Sequence, residues 1–409
     1  MAANWREEIN QAVDQQFDRL VTLRRELHAH PEPSGEETAT SLLLYQLLGD
    51  EGFRVEMGPE GRGVLADYGQ ATQRMALRAD IDALRIRDAK TVPYRSQNDG
   101  VMHACGHDAH TALVFGAMTA LRKVIDTQAV PWPINVRGVF QPAEETCTGA
   151  CEMIEVGALD GVDAILATHM DPLRDVGRIG VRTGVLTANC DEVILEITGR
   201  GGHAARPHET SDPIAAAAQL INALYVQIPR QTDSQDAVVV TIGQIVGGES
   251  CNVIPESVIL RGTVRTLSRE VRQRTFEHIR RLAIGIGGTT DTSIQVSDGR
   301  SARAVHNDRQ LISLLRYATR DVLGDQGLEV IPRASMGSED FAFYLEHVPG
   351  AMIRVGCRSP EVDGGPLHNP NFDVDEEAIR LGAKILAHAT VHWSNPERLS
   401  DDPHVAANI

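Results

Sequence analysis

The feature that most constrains this fold is a change of rhythm near Thr187. Before it, short apolar runs read as strands at 64–68, 74–77, 134–140 and 164–168, alternating with helix-period segments at 111–125 and 149–156. Strands that alternate with helices predict an α/β layered domain with a mostly parallel sheet, because a parallel crossover is made by a helix lying on the sheet face. Ahead of these, Ile9, Val13, Phe17, Leu20, Leu23 and Leu27 recur at spacings of three and four. That predicts one helix ending at Pro31 and Pro33, then a second over about 36–50. Past Thr187 the order becomes β-α-β-β-α-β, with strands at 190–198, 237–246, 257–265 and about 292–296 and helices at 212–228 and 270–286. This is the ferredoxin-like signature. Helix–strand alternation resumes at 307–323, and a last helix over about 375–392 precedes a polar tail expected to fray. The expected plan is therefore an α/β domain of residues 1–187 and 299–409, interrupted by an α+β domain of residues 188–298.

Composition excludes several function classes. The 409 residues carry 56 acidic and 39 basic side chains, a net charge of −17. No basic surface dominates that could exchange counterions for phosphates, so nucleic acid is not expected as a partner. No apolar run approaches the roughly 18 to 20 residues that span a bilayer, so a membrane is not expected either. The opening Met-Ala-Ala-Asn-Trp-Arg-Glu-Glu has acids where a secretory signal has bases. Six cysteines are too sparse for a disulfide framework and fit thiols in a reducing cytoplasm.

Against this ordinary background, Met102-His-Ala-Cys-Gly-His-Asp-Ala-His110 concentrates three histidines and a cysteine between a loop and a helix. Cys105 and His107 flank a glycine that lets the backbone aim a thiolate and an imidazole at one metal. The competing reading is a helix cap with a core cysteine. Beyond the strand at 134–140, Glu144 and Glu145 stand where α/β sheets build their sites. Adjacent side chains diverge, so one could bind metal while the other acts as a base. Acids also favour the first turn of a helix through its dipole. His169 ends another apolar strand, and Asp80 and Asp82 end a third, where one could orient a ligand histidine. His368 stands alone in a Gly/Pro loop. In the interrupting domain His203 occupies a glycine-rich turn, with Asn252 and Arg265 as further polar candidates; an arginine fork suits a substrate carboxylate.

The ordered set Arg78-Ala-Asp-Ile-Asp-Ala-Leu, Met102 to His110, Pro142-Ala-Glu-Glu, Thr168-His, Gly202-His-Ala-Ala-Arg-Pro-His, Asn252-Val-Ile-Pro, Gly262-Thr-Val-Arg-Thr, Gly337-Ser-Glu-Asp-Phe and Leu367-His-Asn-Pro resembles the M20 family of metallopeptidases, closest to its amidohydrolase branch. The resemblance spans about residues 23–387. It implies a zinc-peptidase-like catalytic domain with an inserted lid and dimerisation domain, in a homodimer or higher homo-oligomer. It implies two divalent ions (Zn, Mn or Co) on Cys105, His107, Glu145, His169 and His368, with Glu144 as general base and Asp82 behind the ligands. His203 matches a histidine that stabilises the oxyanion across a dimer, and Asn252 and Arg265 match positions lining the substrate side of the lid. The implied substrates are N-acyl amino acids, with dipeptidase or carboxypeptidase action on the same site as the alternative.

Three departures stand out. Arg85 replaces the proline usual after Asp-Ala-Leu, and together with Arg87 it puts substrate identity in question. The opening pattern is His30-Pro-Glu-Pro-Ser. Cys147 and Cys151, at i and i+4, are expected to share a helix face and serve the core.

Overall fold

The computed structural model describes residues 4–362 and 365–397; the tail expected to fray lies, from residue 398 on, outside them. The chain divides into two compact units. The first takes the chain up to Leu186, His306–Arg333 and the chain from Asp340 on; the second takes Thr187–Val305 and Ala334–Glu339.

The first unit is built on an eight-stranded sheet in the order Arg54–Met57, Val64–Gly69, Asn135–Gln141, Met75–Asp80, Ala164–Asp175, Gly350–Arg358, Ile179–Val181, Leu328–Val330. Its centre is parallel: Met75–Asp80 pairs in parallel with both Asn135–Gln141 and Ala164–Asp175, and the latter with Gly350–Arg358. Antiparallel pairs sit toward the edges. The helix His107–Asp126 is buried along nearly its whole length, as expected of a helix enclosed in a core rather than lying on it. Its Leu113 and Phe115 belong to one apolar cluster with Leu20, Ile385 and Leu386.

The first helix is not continuous. Trp5–Gln15 and Phe17–Ala29 are separate, because Gln16 leaves helical geometry and bonds sideways. Its Nε2 donates to Gly116 O and its Oε1 accepts from Thr119. The next helix begins at Thr38 rather than 36, since Glu37 turns inward to accept backbone N–H groups from Gly35 and Ala143. The strand expected to stop at residue 77 runs on to Asp80, its polar end sustained by a buried Arg78–Asp80 ion pair at 2.7 Å. Cys147 precedes the helix Gly149–Glu155, in a turn with φ 55°, and Cys151 is exposed. The two thiols therefore share neither a helix face nor a core position.

The second unit has four antiparallel strands ordered Val238–Val246, Ser257–Thr266, Asn189–Thr198, Ser293–Ala302, with helices Pro213–Gln231 and Arg269–Thr290. Asp212 caps the first helix, accepting from Ile214 and Ala215 N–H ahead of Pro213. Val193, Leu195, Ile197, Leu220, Leu224, Leu260 and Phe276 form this unit's own core. Among the described residues no helix is long and apolar enough to cross a membrane.

Candidate metal centre

Three neighbouring parallel strands bring polar residues to one end of the central sheet. Asp80 stands opposite Gln141, and Arg78 opposite Ala167, so Asp82, Glu144 and Glu145 follow adjacent carboxyl ends, and His169 lies on the third strand two residues beyond its last pairing with Met75–Asp80. This is where open α/β sheets hold ligands. The helix beginning at His107 adds Cys105 and His107 through Gly106, whose φ of 87° only glycine adopts readily and whose added Cβ would press on Met170. His368, at φ 60°, joins through its backbone N–H to Ala104 O at 2.8 Å.

The side chains converge. Cys105, His107 and His169 present donor atoms within 4.8 Å of one another, as do Cys105, Glu145 and His368, and His107, Glu144 and Glu145. Cys105 Sγ lies 3.6 Å from His169 Nε2, His368 Nε2 lies 3.2 Å from Glu145 Oε1, and His107 Nε2 lies 3.9 Å from Glu145 Oε1 and 4.0 Å from Glu144 Oε2.

Each imidazole is aimed by its other nitrogen. His107 Nδ1 donates to Asp82, 2.9 Å from its carbonyl and 3.0 Å from Oδ1, leaving Nε2 to face the cluster. His169 Nδ1 donates to Met170 O at 2.7 Å. His110 is different. Its Nδ1 donates to Asp80 Oδ1 at 2.6 Å and its Nε2 accepts Met170 N–H at 2.7 Å, so both nitrogens are committed. Although Asp80, His107 and His110 also lie within ligating distance of each other, His110 is a brace and not a donor.

Two observations test whether metal ions fit. Among the described residues, His107 Nε2 is buried without a hydrogen-bond partner. Such an arrangement is costly unless a cation completes it. Protons also collect where cations belong. Contact with Cys105 and Glu145 pushes His368 up to about 10. Burial pulls His107 down, but Asp80 and Cys105 outweigh it and hold it well above the usual imidazole value. His169 goes the other way, held low by burial and then by Arg354. Thiolate, imidazole and carboxylate together suit zinc and its borderline neighbours. The residues fit divalent ions.

The Glu144–Glu145 loop is held by Asp82, already a candidate from the sequence, and by Glu37 and Asp340, whose roles the sequence did not reveal. Asp82 Oδ2 accepts Glu145 N–H at 3.0 Å, and Glu37 Oε1 accepts Ala143 N–H at 2.8 Å, where Ala143 has φ 53°. Asp340 accepts from Ala150 N–H and Gln141 Nε2 while pairing with Arg78. Burial raises the Glu37 carboxyl to about 7. Asp340 was visible only as part of the Gly337-Ser-Glu-Asp-Phe motif, and Glu37 carried no local signal. Arg85, the departure from the family pattern, is exposed and paired with Glu36.

In the second unit, the exposed His203 lies on a two-strand ladder opposite Val253, and Ala204 N–H donates to Asn252 O at 3.1 Å. His203 and Asn252 are thus neighbours. Arg265 stands apart from them in its bonding, donating from Nη1 to Met336 O at 2.8 Å.

Fold and site together define a metal-dependent hydrolase of amide bonds. The family model for "Peptidase family M20/M25/M40" matches residues 76–392. A probable hydrolase of Synechocystis is 42% identical over 382 residues, covering 92% of this chain and 96% of its own. N-acetyl-L-cysteine deacetylase of Bacillus subtilis is 39% identical, covering 90% and 86%. A solved B. subtilis structure, described as a dinuclear metal binding peptidase of this family, superposes with a TM-score of 0.79 at 34% identity, covering 92% and 98%. The chain belongs to the M20 peptidase family, in its amidohydrolase branch.

Proposed function

We propose that the protein hydrolyses the amide bond of N-acyl amino acids, releasing a carboxylate and a free amino acid. The observation that carries this reading is the convergence of Cys105, His107, Glu145, His169 and His368, with the buried, unpartnered His107 Nε2 among them and Glu144 alongside. The five would hold two divalent ions, and Cys105 belongs to two of the three-donor groups. Bound ions would supply Lewis acidity, polarising the amide carbonyl and acidifying water.

The remaining work falls to protein groups. Glu144, buried beside His107, accepts the proton of the attacking water and returns it to the leaving nitrogen. Asp82 fixes His107 and the Glu145 backbone together, so ligand and base stay in register. His203 donates to the developing oxyanion. Asn252 and Arg265 hold the substrate's free carboxylate, which requires Arg265 to release Met336 O. His203 serves a partner's site in a homodimer, and the six free cysteines support a reducing, cytoplasmic setting.

The test is amine release from a panel of N-acyl amino acids, with dipeptides bearing a free α-amine as the contrast. Chelation should abolish turnover, and Zn²⁺, Mn²⁺ or Co²⁺ should restore it. Full turnover in metal-free protein would overturn the reading.

A further inference from the structure

A second group of metal-capable side chains lies in the first unit and shares no residue with the centre described above. Asp321, on the helix Arg309–Leu323, faces His388 and His392, which stand at i and i+4 on the helix Glu377–Ser394. Their donor atoms lie within 4.8 Å of one another. Asp321 Oδ2 is 2.7 Å from His392 Nε2 and 3.6 Å from His388 Nδ1.

The protonation of His388 is the informative point. Its Nε2 lies 3.1 Å from Asn10 Oδ1, an atom that can only accept, so Nε2 carries the hydrogen. In the neutral ring Nδ1 is therefore a lone pair. It is buried, has no hydrogen-bond partner, and points toward a carboxylate oxygen. Two lone-pair groups facing each other across 3.6 Å repel unless a proton or a metal cation lies between them. Metal-ligating histidines are arranged this way, with the far nitrogen donating to a fixed oxygen. Both imidazoles are further held by aromatic neighbours: Trp5 lies 5.3 Å from His388 and 5.0 Å from His392, and Tyr317 lies 4.7 Å from His392.

Arg6 already supplies a positive charge, its Nε 2.7 Å from Asp321 Oδ2 while its guanidinium stacks on Trp5 at 4.4 Å. Its side chain is 38% exposed, against 18% for Asp321. An exposed arginine can withdraw into water, which opens the carboxylate to an incoming ion. Tetrahedral zinc needs donor separations of about 3.4 Å. The His388–Asp321 distance already meets this; the His392–Asp321 pair has to open from 2.7 Å, and His392 has to give up the Nε2 hydrogen it donates to Asp321 as the ion enters.

We propose that Asp321, His388 and His392 form a separate site for a divalent transition-metal ion, with Arg6 as the resident cation that the ion displaces. Two imidazoles and one carboxylate favour Zn²⁺, Co²⁺ or Ni²⁺ over Ca²⁺ or Mg²⁺.

The metal-loaded full-length protein is dialysed against buffered Zn²⁺, and bound zinc is counted per chain by elemental analysis. Wild type should hold one more ion than His392→Gln or Asp321→Asn, with amide turnover equal in all three. Arg6→Gln should bind this extra ion roughly tenfold more tightly, because a competing charge is gone. Equal zinc counts in wild type and both site variants would overturn the proposal, as would weaker binding in Arg6→Gln. A shortfall at the Cys105 cluster would lower all counts together and leave the difference between variants unchanged, so the two readings fail separately.

Discussion

Asp82 holds His107 with one carboxylate oxygen and the Glu145 backbone with the other, at 3.0 Å each. Ser34 adds a third bond at 2.6 Å, to the oxygen that serves Glu145. One buried side chain thus sets the angle of an imidazole and the position of the loop that carries both glutamates. Replacing it should loosen metal before it affects anything else. Asp82→Ala is expected to lower metal affinity on the order of 10- to 100-fold. Titration against a chromogenic chelator measures this, and excess metal should recover part of the lost turnover. Unchanged affinity would remove Asp82 from the supporting role.

Glu144 and Glu145 are adjacent but not equivalent. Glu145 contacts both His107 and His368, and Glu144 approaches His107 at 4.0 Å. Glu144→Gln preserves the shape and removes the base. Turnover should fall on the order of 10²- to 10⁴-fold while bound metal per chain stays the same. Glu145→Gln should instead lose metal. If both variants lost metal equally, the division of labour between them would be wrong.

The donors were legible in the sequence because each stands beside a structural boundary: Cys105 and His107 at a helix start, Glu144 and Glu145 past a strand, His169 at the end of an apolar run. Asp82, which aims His107, was legible at a strand end as well; the groups that hold the glutamate loop from afar were not. Glu37 reaches Ala143 across 106 residues, and Asp340 reaches Ala150 across 190. Nothing local marks a carboxylate as the partner of a backbone N–H so distant in the chain. The break at Gln16 was hidden for the same reason, since a partner on another helix overrides an unbroken apolar period. Alternating strands and helices made the sheet readable, while its antiparallel edges depend on pairings between segments far apart.

The buried Arg24 makes a different claim, on stability. Arg24 Nε lies 2.8 Å from Asp108, the guanidinium also pairs with Asp373, and all three side chains are almost fully enclosed. Arg24→Leu takes the guanidinium from two buried carboxylates and should destabilise by about 3–5 kcal/mol. Arg85→Ala removes an exposed pair with Glu36 and should cost no more than about 0.5 kcal/mol. Urea unfolding of both variants tests the contrast, and similar midpoints would contradict it.

Acid should unfold the protein through carboxylates of this kind. Burial pushes Asp67 up, but hydrogen bonds from Arg137 and Arg54 win and hold it below its ordinary 3.8; Arg24 and Lys90 do the same for Asp373. A carboxylate with a lowered folded value stabilises fully above its unfolded value, and that stability is lost as pH falls through the folded value. Stability should therefore hold down to about pH 4 and decline below it. Asp67→Asn should be less stable at neutral pH and show a shallower decline in acid. Melting temperatures across that range give the slope, and an unchanged slope in Asp67→Asn would show that its pairing with Arg137 is not coupled to folding.

The last prediction concerns His203, whose exposed imidazole has as its only described hydrogen bond one accepted from Ala205 N–H. A side chain this lightly held is free to serve a substrate, and as an oxyanion donor its removal should cost on the order of 10²- to 10³-fold in kcat with little change in metal content. Whether it serves its own chain or a partner is decided by complementation. In a mixed dimer of His203→Ala and Glu144→Ala chains, a histidine acting across the dimer rebuilds one complete site, pairing the intact Glu144 of one chain with the intact His203 of the other. A histidine acting within its own chain rebuilds none. Mixed dimers isolated through two affinity tags should therefore regain turnover that neither parent shows. Inactive mixed dimers would return His203 to its own chain, and an undiminished His203→Ala parent would remove it from the chemistry.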